Sequence, residues 1–120
     1  MIIYRYEDKD GYGPYNSSKR VTNTDLNIVL RQHDDCVDHP CPSKDFDCPC
    51  SMLDVRYGFC SMADLEAWFT VEVRELLKIA GFSVVKYDVP VCSIQMGKKQ
   101  VRFDNSKANR MIGFESEAMV

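Results

Sequence analysis

The chain has no apolar run approaching the roughly 20 residues that a membrane-spanning helix requires. It also has no basic surplus: 15 Lys and Arg against 18 Asp and Glu leave a formal charge of −3. That balance argues against sequence-independent binding to DNA or RNA, which needs a concentrated cationic face to neutralise phosphates. The opening MIIYRYEDKD lacks the basic region, apolar region and small-residue cleavage site of a secretory leader. A reducing cytosol is therefore the expected compartment, and there six cysteines are more often thiols or metal ligands than disulfides. No CxxC pair, internal repeat or low-complexity tract is present.

What is present is the composition of a globular domain, with 45% hydrophobic and 28% charged residues in 120. That length predicts one domain, residues 1–120, with a single core. IIYRYE (Ile2–Glu7) is β-branched and aromatic, and reads as a strand with Ile3, Arg5 and Glu7 on one face. DKDGYGPY supplies turn residues, and its Gly-Tyr-Gly lacks the strand and helix that a nucleotide-binding loop sits between. Leu26, Val29 and Leu30 have helical spacing, which predicts a helix from Thr22 or Thr24 to about Asp34. Residues 35–57 show no period and hold three of the five prolines, so they are expected to form one long loop. Two helices follow: one carries Leu65, Trp68 and Phe69 after a Ser61 cap, the other Val73, Leu76, Leu77 and Ala80. Gly81 stands where a left-handed C-terminal cap belongs. FSVVKYDV reads as a strand, and VCSIQMGKKQVRFD as a hairpin turning at Gly97-Lys98. Residues 115–120 are expected to be a loosely held tail. The order predicts an α+β domain: a mostly antiparallel sheet, two or three helices, and a long Pro- and Cys-rich loop.

HDDCVDHPCPSKDFDCPC (residues 33–50) holds both histidines and four of the six cysteines. Zinc favours four N or S ligands offered as two close pairs. His33, Cys36, Cys48 and Cys50 would make an unorthodox set, since Cys48-Pro-Cys50 is tighter than a usual knuckle. The competing reading, an acidic loop with incidental thiols, is preferred, so no metal is expected. A nucleophilic cysteine would need a neighbouring base, and Cys41 beside His39 is the local pair that the sequence offers.

YRYEDKDGYGPY, HPCPSKD, GFCSMADLEAWF, LLKIAGFSVVKYDVP and GKKQVRFD together resemble a group of small phage and prophage proteins. That group's pattern is YRIE with GPY, HPxP, GFxS with WF, GFxVxxYxV and QVxF, and it spans residues 2–104 here. Its His-Pro-x-Pro falls on His39, Pro40 and Pro42, and the cysteines are not part of it. The element order is also similar to the core of ADP-ribosyltransferase-like domains. That second resemblance implies Arg5 on the first strand as a phosphate or ribose ligand, and Gln100 where a transferase carries its catalytic glutamate. It further implies Tyr15 or Tyr87 stacking on nicotinamide, and His39 donating a hydrogen bond. A glutamine can hold a ribose hydroxyl, but it has no charge with which to stabilise a cationic transition state.

The expected function is that of a phage-encoded accessory protein of the bacterial cytosol. It would bind and modulate a host or defence-system protein, as an anti-CRISPR-type inhibitor does, without enzymatic activity, cofactor, nucleic acid or membrane. Asp34, Asp35, Asp38, Asp45 and Asp47 would face a basic partner. The alternative is a divergent mono-ADP-ribosyltransferase-like protein that binds NAD through Arg5, Tyr15, His39, Tyr87 and Gln100.

Overall fold

The computed structural model describes residues 1–17, 24–33, 36, 38–47, 50 and 52–111. Among them, four short helices and two three-stranded antiparallel sheets make an α+β fold. The helices are α1 (Thr24–Arg31), α2 (Pro42–Asp45), α3 (Met62–Trp68) and α4 (Val71–Ile79). The strands are β1 (Ile2–Glu7), β2 (Val55–Gly58), β3 (Ser83–Asp88), β4 (Ile94–Met96), β5 (Val101–Asp104) and β6 (Asn109–Arg110).

The first sheet has the order β1-β3-β6 and the second β2-β5-β4. One antiparallel bridge joins them, with Tyr4 and Phe59 exchanging backbone hydrogen bonds of 2.8 Å each way. The period of two along β1 and β3 sends alternate side chains to opposite faces, and both faces are covered. Tyr6 and Val84 pack with Leu26, Leu30, Leu65, Trp68, Phe69, Val73, Leu77 and Phe82, the apolar stripes of α1, α3 and α4 with their flanking residues. Ile3, Val85 and Tyr87 pack instead with Val101 and Phe103 of β5. The first sheet is thus the middle of three layers.

Local chemistry explains most boundaries. The Ser61 hydroxyl accepts the Asp64 N–H at 3.1 Å and starts α3. Gly81 has φ +97°, a conformation that side chains with a Cβ rarely adopt, and it lets the chain leave α4. Gly58 is required by space, because a Cβ there would lie 2.8 Å from the Tyr4 carbonyl oxygen and 2.6 Å from Ile3 Cγ2.

Three expectations need correction. The helix expected to reach Asp34 ends at Arg31, because the N–H groups of Gln32 and His33 turn back three residues, to Val29 and Leu30. Residues 35–57 are not one irregular loop: Pro42 opens α2, and Val55–Gly58 pairs with β5. The hairpin closes through residues 97–100 rather than a two-residue turn, since Met96 pairs with Val101. Asp45 causes this. Its carboxylate accepts the N–H groups of Lys99 (2.7 Å) and Gln100 (3.1 Å), and its backbone carbonyl accepts that of Lys98 (2.9 Å). No helix among the described residues is long and apolar enough to cross a membrane. The tail from 115 to 120 lies outside the described residues.

Candidate functional site

A cleft of about 1100 Å³ opens where β1, β2 and the segment around His39 meet. One wall is the turn after β1, organised by Asp8. The Asp8 carboxylate accepts the N–H groups of Asp10 (2.9 Å) and Tyr12 (3.0 Å) and the hydroxyl of Ser17. That staple presents Tyr12, Gly13, Pro14 and Tyr15 to the cleft. Val55, Arg56, Tyr57 and Phe59 also line it, with Trp68 and Phe69. Gln100 reaches it from the hairpin. Three arginines, Arg5, Arg31 and Arg56, line the cleft against one acidic residue, Asp10. Two of these arginines have carboxylate partners outside the lining, Arg5 with Glu7 at 2.9 Å and Arg56 with Asp54 at 2.7 Å, so the recess is aromatic and arginine-lined.

A hydrogen-bonded chain runs along its edge. Trp68 ends α3, so its carbonyl has no partner within the helix, and His39 Nε2 meets it at 2.6 Å. A carbonyl only accepts, so Nε2 carries a hydrogen, and in the neutral imidazole Nδ1 is then the acceptor. The Cys36 thiol lies on that Nδ1 at 3.2 Å. His33 stacks on His39 with ring centres 3.6 Å apart and planes 7° from parallel. Its Nδ1 is 2.7 Å from the Tyr15 hydroxyl, which accepts the Trp68 indole N–H at 2.8 Å.

Behind the cleft lies a buried ionic group. Arg5 Nε stands 2.9 Å from Glu7 Oε2, as an ion pair without a well-aligned hydrogen bond, and Arg5 Nη1 donates to the Tyr57 carbonyl at 3.1 Å. Burial lowers the pKa of Arg5, while Glu7 works against that shift. The Tyr87 hydroxyl donates to Glu7 Oε2, and Arg110 Nε is 3.4 Å from Glu7 Oε1. Burial, and then the hydrogen bond to Glu7, push the Tyr87 phenol up to about 12. Gly13 leaves room for the guanidinium, since a Cβ there would be 3.0 Å from Arg5 Nη2.

Of the residues singled out in the sequence, Arg5, Tyr15, His39 and Gln100 line this one cleft. Tyr87 does not. It is 7% exposed, packs against Phe103 and holds Glu7, so it cannot stack on a ligand there. Gln100 belongs to the loop before β5 rather than to the strand. Asp45, expected at a partner surface, is 1% exposed and holds the hairpin. Asp38 and Asp47 are exposed, whereas Asp34, Asp35 and Cys48 lie outside the described residues. Cys50 is exposed and bonds weakly to the Met52 carbonyl at 3.8 Å. No cluster of three or more metal-binding side chains occurs among the described residues. The thiol on His39 is Cys36 and not Cys41, whose sulfur contacts Ser43 Oγ at 3.1 Å. Sequence reasoning assigned Trp68 to the core and missed that both its carbonyl and its indole serve the site. Its place at the helix end signals the carbonyl left without a helical partner, whereas nothing local signals the indole contact with Tyr15.

The described residues define a small α+β domain with an aromatic, arginine-lined cleft. The chain belongs to the bacteriophage T4 Y00F protein family, whose model matches residues 1–117, and so to a family of phage proteins. No curated protein and no solved structure matches the chain, and the ADP-ribosyltransferase-like fold has no support.

Proposed function

We propose that this chain is a phage-encoded accessory protein that works by binding, with the cleft as its ligand site and a nucleotide-class molecule as the ligand. One observation carries the reading: Arg5, Tyr15, His39 and Gln100 line the same cleft of about 1100 Å³, beside Arg31 and Arg56. Aromatic faces suit a planar base, guanidinium groups suit phosphates, and a carboxamide suits a ribose hydroxyl. NAD is the reference ligand, and no transfer chemistry is proposed. Thermal unfolding with millimolar NAD or ADP tests this. A ligand at a hundredfold excess over its Kd adds about 2.7 kcal/mol of stability, which raises the melting temperature by several degrees. The rise should vanish in Gln100→Ala and in Arg56→Ala. An unchanged melting temperature with both nucleotides removes nucleotides as the ligand class.

A second reading rests on the exposure of Asp38 and Asp47, which flank the cleft-lining residues 39–42 in sequence. Here the chain binds a host or defence-system protein with a basic surface in the bacterial cytosol, as an anti-CRISPR-type inhibitor would. Affinity capture from host lysate should retain a partner that Asp38→Lys with Asp47→Lys releases. Retention by the double variant would remove the acidic loop from the interface.

A further inference from the structure

Cys36 is held where a nucleophile would be. The His39 N–H donates to the Cys36 carbonyl at 3.0 Å, closing a four-residue turn that brings the two side chains together. Cys36 as a residue is half-buried rather than sealed in the core. Its neighbour His39 has its tautomer set from behind by the Trp68 carbonyl, which leaves Nδ1 facing the sulfur. Nucleophile, base and a third group that orients the base are the parts of an activated thiol. The stack of His33 on His39 restrains the imidazole further. The contacts seen at the other described thiols are of a different kind. Cys41 meets a hydroxyl, Cys50 the Met52 carbonyl, Cys60 the sulfurs of Met1 and Met96, and the exposed Cys92 has Ser93 Oγ at 4.0 Å. Burial, and then Asp64, push the Cys60 thiol up, away from the reactive anion.

We infer that Cys36 and His39 form a nucleophile–base pair that undergoes thiol–disulfide exchange with small disulfides. This goes beyond the ligand reading and stands whether or not the cleft holds a nucleotide. The Cys36 sulfur attacks one sulfur of the disulfide as its proton passes to His39 Nδ1. A bond forms between Cys36 and that sulfur, and the original sulfur–sulfur bond breaks. The departing thiolate then takes the proton back from the imidazolium. One disulfide enters, and one mixed disulfide and one small thiol result, with no other oxidant consumed. Such a displacement moves charge from sulfur to sulfur, so a thiol, a base and a line of approach suffice.

The test is site-resolved mass spectrometry of the reduced chain during exposure to limiting glutathione disulfide. Cys36 should gain glutathione at least about tenfold faster than the more exposed Cys92, a threshold set below the roughly hundredfold at the low end of what a positioned base contributes. His39→Gln should bring Cys36 down to the rate of Cys92 while leaving Cys92 unchanged, a split that a merely structural role for His39 would not give. Equal rates at Cys36 and Cys92 in the natural chain overturn the inference, and that comparison needs no variant to fold. So does a His39→Gln chain, folded by circular dichroism, whose Cys36 keeps its rate.

Discussion

Single buried polar groups decide several features that composition leaves open. Asp45 reads as one more aspartate of an acidic loop, yet its carboxylate sets the length of a hairpin loop more than fifty residues away. Nothing local announces that, because the partners are backbone N–H groups that any residue would offer. Tyr87 stands in a strand that the sequence announces, but its role as the donor that holds Glu7 is illegible there, for the same reason. Its phenol, raised from about 10 to about 12, gives a pH signature. In the folded chain it keeps its proton where the unfolded chain loses it. Its contribution to stability is therefore whole below pH 10 and is lost as the pH rises from 10 to 12. Urea unfolding between these pH values should show Tyr87→Phe losing less stability across the window than the natural chain does. Equal slopes would mean that the phenol does not titrate with folding.

Among the elements, those with a strong period were read well and those without one were not. Leu65, Trp68 and Phe69 announced α3, and Ser61 announced its start, because capping and amphipathicity are local. β2 was lost inside the expected loop. It is four residues long, and what makes it a strand is its pairing with Val101–Asp104. The helix cap can be weighed directly. Ser61→Ala removes the acceptor of the Asp64 N–H and should cost about 1 kcal/mol in urea unfolding. Ser61→Thr should recover most of the loss, and a silent Ser61→Ala would show that solvent replaces the cap. The candidate site was half legible by the same rule. The aromatic, basic and amide residues were visible as types, but the turn that presses Cys36 rather than Cys41 onto His39 was not.

In the whole molecule, two apolar clusters share one sheet, and neither could be told from the other in the sequence. Alternation in FSVVKYDV marked both faces, and only the structure shows that helices cover one and β5 the other. Phe103 is fully buried in the cluster that does not contain Trp68. Phe103→Ala should cost about 3–5 kcal/mol. Because β3 is common to both clusters, the fluorescence of Trp68 should report that loss at the same urea midpoint as far-ultraviolet circular dichroism. A fluorescence transition that stays put while dichroism moves would mean that the layers unfold separately. The shared strand also has a consequence for partly folded states. β3 lies between β1 and the two-residue β6, and its second face rests on β5. In any state where β1 and β3 have paired but β5 and β6 have not docked, a strand apolar on both sides has one open edge and one uncovered face. That stretch is where a second copy or a chaperone would first take hold.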